Sequence, residues 1–383
     1  MPSLKKLFDN GKRRYQELRD GAEEAIVRRE WATFGRHWLE PYYAESNCFG
    51  LGALVSLPID DTRGLVEHGF DAAGRLRVVR NYNALNKREW LPGRGPERPA
   101  REQYFDYADE EVIATLFDHD EKKPVINVAR YRYEGTQLIE VQTRYKNGNE
   151  RTETFEWADG RPVRARVSQP GNERVLEYKH DAAGELELVE WVYANGSRAE
   201  MFRRIREEPE VVFERVRGAL LASTRSHLPT LDVGAKVAAV ALWLDMESHD
   251  HLLPPQLALL TEAEQADFLS EHADDAATFL WHPVEWENYD TQELEFEDES
   301  LHRAASDANQ LVWQRSLHDA ARLLVDSVCR ELNEEGVSTL LETTPDCIIF
   351  PVDITSGDGE QGVRRVVTPA QLTALKRKGL LRD

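Results

Sequence analysis

Residues 129 to 204 read ARYRYEGTQLIEVQTRYKNGNERTETFEWADGRPVRARVSQPGNERVLEYKHDAAGELELVEWVYANGSRAEMFRR. Glycine recurs in this stretch every 11 to 13 residues, each time beside turn-forming residues such as Asn, Asp, Pro or Glu. The six positions are Gly135, Gly148, Gly160, Gly171, Gly184 and Gly196. The segments between them are rich in Val, Thr, Tyr, Phe and Trp, which favour strands. This spacing predicts an antiparallel β-meander of hairpins.

An internal repeat extends the meander towards the N-terminus. Residues 70–76 read FDAAGRL, and residues 180–186 read HDAAGEL. Glycine provides a positive φ at the turn, Asp binds nearby backbone amides, and Leu re-enters the sheet. The copies resemble the YD repeats of Rhs-type proteins over residues 65–205. Because five or six hairpins are too few to close a shell, the resemblance implies an open, curved sheet that serves as a binding face or as a structural platform.

The regions that flank this meander predict helices and a second domain. The fold class is therefore α+β, with residues 1–47 as an N-terminal helical segment, 48–206 as the meander domain and 207–383 as an α+β domain. Apolar spacing predicts a helix over 12–40, ended by Pro41, and a first strand over 49–58. Further helices are predicted over 208–227, from Pro254, over 274–279, 301–334 and 369–379, and strands over 236–246, 347–354 and 363–367.

Three segments of the second half resemble an uncharacterised bacterial domain family that is encoded near polymorphic toxins and their immunity proteins. They are the strand 237–245, the box WHPVEW at 281–286, and TPDCIIFPVD at 344–353. The resemblance covers residues 230–383. It implies an α+β fold and an immunity role, and it assigns no catalytic residue.

Composition limits the classes of partner and compartment. The 383 residues include 48 Lys and Arg against 69 Asp and Glu, a net charge of -21. Such a surface repels phosphate backbones and anionic lipid and attracts a basic protein, so we expect no nucleic-acid or membrane binding. The three cysteines are scattered, the N-terminus lacks an apolar signal core, and the longest apolar run, 237–244, is too short to cross a membrane. A cytoplasmic protein is expected.

The strongest candidate binding segment is Val284 to Ser300, where eight carboxylates and no basic residue are interleaved with aromatic rings. Carboxylates accelerate encounter with a basic partner, and rings supply buried area. The predicted partner-binding residues are Trp286, Tyr289, Glu293, Glu295, Phe296 and Glu297. The alternative interpretation of this segment is a solvated acidic loop.

Two other patterns are typical of sites for a metal ion or a nucleotide. His249 and His251, with Asp245 nearby, would place two rings on one face of a strand, but the segment also fits a polar loop. Residues 357–362 read GDGEQG, a literal GxGxxG. Because the following VRRVV is strand-like and two carboxylates would oppose a phosphate, we interpret it as a hairpin loop and predict no cofactor.

These observations lead to three hypotheses. The first is a non-enzymatic immunity protein that neutralises a basic, possibly nuclease-type, toxin domain by occlusion. The second is a metal-dependent hydrolase that uses His249, His251 and Asp245, which metal analysis of the purified protein would reveal. The third is a scaffold component of a defence assembly, which would form a large defined oligomer. The sequence does not specify the oligomeric state.

Overall fold

The computed structural model describes residues 3–48, 50–56, 59, 62, 64–82, 99–118, 124–246, 252–272, 276–287 and 296–382. The chain is α+β and divides into two compact units, Met1–Arg204 and Ile205–Asp383. The predicted boundary lay two residues later, at 206/207. The N-terminal segment 1–47 belongs to the first unit and does not form a unit of its own.

The first unit is built on a 12-stranded sheet in which every strand pairs antiparallel with its neighbours in sequence, as predicted for a meander. All six glycines of the 129–204 stretch have a positive φ, between 62° and 87°, at the turns that join the strands. The strands are β1 (Arg28–Ala32), β2 (Val66–Phe70), β3 (Leu76–Asn81), β4 (Arg101–Tyr107), β5 (Glu111–Asp118), β6 (Val125–Glu134), β7 (Gln137–Tyr145), β8 (Glu150–Ala158), β9 (Arg161–Gln169), β10 (Asn172–His180), β11 (Leu186–Tyr193) and β12 (Arg198–Arg203).

One face of this sheet carries helix α1 (Leu4–Ala25). Leu18 and Ala22 of the helix pack against Tyr104, Phe117 and other buried side chains of β3 to β6. The helix prediction over 12–40 was wrong at both ends: the helix begins eight residues earlier, and residues 28–32 form the first strand. Trp31 belongs to that strand because its segment pairs with β2 along the sheet edge.

The opposite face of the sheet curls around residues 33–48. The His37 ring lies 4.9 Å from Phe70 on β2, and the Tyr42 hydroxyl lies 3.1 Å from His180 Nε2 on β10. These strands are eight positions apart in the sheet, which would be about 38 Å if the sheet were flat. Five residues of chain reach about 18 Å at most, and strand side chains stand roughly perpendicular to their sheet. The sheet is therefore strongly curved, and this segment fills its concave side.

The segment predicted as a strand over 49–58 forms only a bridge between Ala32 and Leu54 in its described part. Phe49, Leu57 and Pro58 lie outside the described residues. Short helix α2 (Tyr43–Ser46) precedes this segment.

The second unit packs helices around a small mixed sheet. Strand β13 (Val237–Leu244) is central; it pairs antiparallel with β14 (Gln256–Thr261) and parallel with β15 (Thr343–Asp353). All eight residues of β13 are buried. The helices are α3 (Pro209–His227), α4 (Glu262–His272), α5 (Ala276–Leu280), α6 (Glu299–Arg315), α7 (His318–Glu335), α8 (Gly359–Val366) and α9 (Pro369–Arg377).

Three predictions for this unit were wrong. Residues 256–261 form a strand rather than the start of a helix, because a short apolar run buried on both sides has no distinguishing period. The helix predicted over 301–334 is two helices, since Ser316 adopts a left-handed conformation between them. Residues 363–367, predicted as a strand, lie mainly in α8, where Val363 and Val366 are buried at helical spacing.

Helix α8 also explains the glycines of the GDGEQG segment. A Cβ on Gly359 would lie 1.7 Å from the Trp281 carbonyl oxygen, and one on Gly362 would lie 1.9 Å from that of Pro351. The segment is a strand–turn–helix connection rather than the predicted hairpin loop. Its second and third glycines allow the helix to approach the neighbouring backbone. Within the described residues, no helix is long and apolar enough to cross a membrane.

Candidate functional site

The two described rings of the predicted binding segment are buried. Trp286 is 3% exposed and Phe296 is 4% exposed. The Trp286 ring lies 6.0 Å from that of Phe350 in the core, and the Phe296 ring lies 5.6 Å from that of His227. Burying a large ring stabilises the fold by about 2–3 kcal/mol, so the chain turns these rings inward. The prediction that they are exposed partner anchors is therefore wrong.

The remaining residues of that segment divide into two groups. Glu297 is exposed, as a partner-binding carboxylate would be. Tyr289, Glu293 and Glu295 lie outside the described residues, and their role stays a prediction. The alternative metal site also stays a prediction, because His249 and His251 lie outside the described residues. Asp245 is half-buried. In the part of the chain that is described, no three His, Cys, Asp or Glu side chains are grouped to hold a metal ion.

The negative charge of the protein is concentrated in the second unit. Residues 1–204 contain 33 basic and 35 acidic side chains, a net charge of -2. Residues 205–383 contain 15 basic and 34 acidic side chains, a net charge of -19. Within the second unit, residues 237–302 carry 17 Asp and Glu and neither Lys nor Arg. The acidic character of the protein is thus almost wholly a property of one unit.

Helix α4 organises part of this charge into a surface. No described side chain of the helix is buried, and the helix contains neither Lys nor Arg. The Glu287 amide donates to Glu264 Oε1 at 2.8 Å, which attaches the segment after α5 to the start of the helix. We call the following set the acidic face: Glu262, Glu264, Asp267, Glu271, Glu285 and Glu287.

Apolar groups lie beside the acidic face. Leu269 and Val284 are each 38% exposed. The rings of Phe268 and His272 stack with Phe279, with centroids 6.3 Å and 3.8 Å apart respectively. These half-buried groups offer the contact area that the buried Trp286 and Phe296 do not.

A separate cleft lies on the concave side of the first unit. Register places the inner-face residues of neighbouring strands in rows: Glu153 of β8 faces Val167 of β9, which faces Arg174 of β10. Val167 of β9 lies between longer side chains on β8 and β10, and a small cleft that is partly open to solvent lies at this place. The cleft is lined by Glu40, Pro41, Tyr43, Ser46, Asn47, Arg151, Glu153, Phe155, Arg174, Leu176, Tyr178 and Trp191. It lies near the starts of β8 and β10 and the end of β11, which is one end of the curled sheet.

The cleft contains the guanidinium groups of Arg151 and Arg174, and Glu153 forms an ion pair with only one of them. Arg151 forms an ion pair with Glu153 on its own strand. The Arg174 guanidinium lies 3.6 Å from the centre of the Trp191 ring and makes no ion pair within the described part of the chain. Burial and the nearby charge of Arg151 lower the pKa of Arg174. Arg151 Nε, Arg174 Nε and Trp191 Nε1 are all buried and have no hydrogen-bond partner among the described residues.

Glu40 belongs to residues 33–48, on the concave side of the sheet, and lines the cleft together with Arg151 and Arg174. The Tyr131 hydroxyl donates to Glu40 Oε1 at 3.0 Å. Removal from water, with the nearby Glu153, raises the pKa of Glu40 to about 7. Burial also raises the pKa of Glu153, and it raises the pKa of Tyr43 to about 12. Glu40 is therefore about half protonated at neutral pH, which leaves the cleft with an excess of positive charge.

Sequence reasoning missed this cleft, although a signal for it was present. On β8, Arg151 and Glu153 share the alternation of the buried Phe155, and on β10, Arg174 shares that of the buried Leu176. Charged residues in phase with core residues must point to the inner face. The part that no alternation reveals is Glu40, which reaches the cleft only through the fold of residues 33–48.

No protein-family model matches this chain, and no curated protein is significantly similar to it. The resemblances to YD repeats over 65–205 and to a toxin-associated domain over 230–383 therefore stay predictions.

Proposed function

We propose that this protein is a non-enzymatic protein-binding module whose second unit engages a basic polypeptide. In its most specific form it is an immunity protein that occludes a basic, nuclease-type toxin domain. The observation that carries the proposal is the segregation of charge: a net charge of -19 on residues 205–383 beside -2 on the rest. Charge confined to one unit is expected of a protein that must steer one partner to one surface.

The acidic face supports this proposal. Its carboxylates attract the Lys- and Arg-rich surface with which a nuclease holds phosphate groups. The partly exposed Leu269, Val284 and Phe268 then supply apolar contact once the partner is docked. Occlusion requires no catalytic residue in the inhibitor, because covering the substrate-binding surface is sufficient.

The test compares charge removal at two places. Partner capture from the native host by the full chain is followed by association kinetics with the captured protein. The triple variant Glu262→Gln, Asp267→Asn and Glu271→Gln is expected to slow association about tenfold at low salt and to flatten its salt dependence.

The matched control removes three carboxylates that are already paired with arginine or lysine on the outer face of the sheet. These are Glu156, Glu177 and Glu190, each changed to Gln. This control is expected to leave association nearly unchanged. Equal on-rates for wild type and the α4 triple variant, or a captured partner without a basic surface, would reject the proposal.

A further inference from the structure

The cleft of the first unit has features that a protein-binding role for the second unit does not explain. Its cations lie on the inner face of the sheet, beside the buried Phe155 and Leu176 and near the carboxylates of Glu40 and Glu153. The outer face of the same strands pairs its arginines with glutamates, as Arg198 does with Glu177 and Glu190 at 2.9 Å each. Arg174 differs because its guanidinium lies over the Trp191 ring and forms no ion pair with a described residue, although the charge of Glu153 lies near it.

We propose that this cleft is a binding site for a carboxylate group, held by Arg151 and Arg174 with the Trp191 indole as a third donor. The proposal rests on three buried donors in the lining of one cleft, Arg151 Nε, Arg174 Nε and Trp191 Nε1, which have no hydrogen-bond partner among the described residues. Buried donors normally have partners, so three together at one cleft indicate an acceptor that the protein itself does not provide.

The stacking geometry suits an oxyanion. With its face on Trp191, the Arg174 guanidinium keeps its edge free, and the edge carries the N–H groups that bind a carboxylate in the bidentate mode. An anion between the two arginines also relieves their mutual repulsion, because Glu153 alone balances only one of them.

Charge favours a monoanionic carboxylate over a phosphate. With Glu40 protonated, Arg151, Arg174 and Glu153 sum to a single positive charge, which one carboxylate neutralises. A dianion would leave excess negative charge next to Glu40 and Glu153, both of which are already removed from water. The cleft is small and partly open to solvent, so it accepts the terminal carboxylate of a ligand whose remainder lies outside.

The experiment is an NMR titration of the full chain with sodium acetate, observed at the indole and arginine Nε–H resonances. Trp191→Phe and Arg174→Gln assign the relevant signals by their loss. Acetate is expected to shift the Trp191 and Arg174 signals saturably. The double variant Arg151→Gln and Arg174→Gln is expected to bind at least about tenfold more weakly, because each charge-assisted hydrogen bond is lost.

The matched control is Arg166→Gln, which removes an arginine paired with Glu156 on the outer face of β9 and should leave the titration unchanged. A peptide with a free C-terminus and the same peptide with an amidated C-terminus distinguish a polypeptide end from a small acid. Inorganic phosphate should bind more weakly than acetate; tighter phosphate binding would overturn the choice of carboxylate.

A pH series separates binding from a merely structural role. Acetate is expected to bind more tightly at pH 6 than at pH 8, because protonation of Glu40 removes a negative charge from the cleft. The groups that face Glu40 are Glu153, Arg151, Tyr131, Tyr133 and Tyr43. Glu40→Gln should abolish the pH dependence while acetate still binds. No saturable shift at Trp191 or Arg174, or unchanged affinity in the folded double arginine variant, would overturn the proposal.

Discussion

Burial holds His68 in its neutral form. The residue is fully buried on β2, and removal from water, with the nearby His37 and Arg36, lowers its pKa to about 4. Its Nε2 accepts a hydrogen bond from the Arg36 amide at 3.4 Å, which requires an unprotonated nitrogen. In the unfolded chain the same ring has its ordinary pKa near 6.5. Between these two values only the unfolded state binds the proton.

The free energy of unfolding should therefore fall as the pH drops from about 6.5 to about 4, by at most about 3 kcal/mol from this residue. His68→Gln keeps an acceptor for the Arg36 amide and removes the titration. We expect its unfolding free energy, measured with urea and circular dichroism, to fall less steeply over this pH range than that of the wild type. Parallel curves would show that His68 does not titrate in this way. Other acid-sensitive groups are common to both proteins and cancel in the comparison.

Arg80 shows how a single residue fixes an element. It lies on β3, is 7% exposed, and forms ion pairs with Glu67 and Glu102, each at 3.3 Å, and with Glu23 of helix α1. The Tyr15 hydroxyl of α1 donates to the same Glu102 at 2.6 Å. The network holds the helix on the sheet by joining Glu23 and Tyr15 of α1 to the buried Arg80 and Glu102.

We expect Arg80→Leu to lower the unfolding free energy by about 3–5 kcal/mol, because it removes the buried cation that Glu67 and Glu102 share. Arg132→Leu is the control: that arginine is 47% exposed and pairs with Glu140 at 3.2 Å, so its loss should cost less than about 1 kcal/mol. Similar losses for the two variants would show that the buried network does not hold α1 in place.

At the scale of elements, local sequence patterns predicted correctly those elements whose conformation depends on residues adjacent in the chain. The hairpins of residues 129–204 were predictable because a positive φ at each turn glycine is a requirement of the turn itself. Strand β14 and helix α8 were assigned wrongly because short apolar segments take their conformation from the core around them. For the same reason, the sequence could indicate only the strand residues of the cleft. Glu40 reaches the cleft through the path of residues 33–48 across the sheet, which no local pattern predicts.

The glycines of the second unit provide a matched pair at this scale. Gly362→Ala should destabilise by about 1–3 kcal/mol or more, because the added Cβ would lie 1.9 Å from the Pro351 carbonyl oxygen. Gly218 lies inside helix α3 with nothing within 4 Å of the Cβ position. Gly218→Ala should stabilise by about 0.5–1 kcal/mol, because alanine loses less backbone entropy on folding. Thermal unfolding measures both, and equal effects of the same sign would contradict the close packing of α8.

At the scale of the whole molecule, charge separates the two units more clearly than fold does. In the first unit, arginines and glutamates alternate across the outer face of the sheet in pairs such as Arg166 with Glu156 and Lys179 with Glu190. In the second unit, most carboxylates have no cation to balance them, since 34 acidic side chains face 15 basic ones. Repulsion among like charges opposes folding of that unit.

Raising the salt concentration should consequently change the stability of the two units in opposite directions. Raising the ionic strength from about 0.05 M to about 0.5 M shortens the screening length several-fold, which weakens attraction in the first unit and repulsion in the second. Amide hydrogen exchange of the full chain reports each unit separately: protection of β13 and β15 should rise with salt, while that of β6 and β9 should stay constant or fall. The variant Glu262→Lys, Asp267→Lys and Glu271→Lys should reduce the gain at β13, because it removes part of the repulsion that salt would screen. If protection rose equally in both units, the effect would be one of general salting-out rather than of charge, and the electrostatic division on which the proposed capture of a basic partner depends would lose its support.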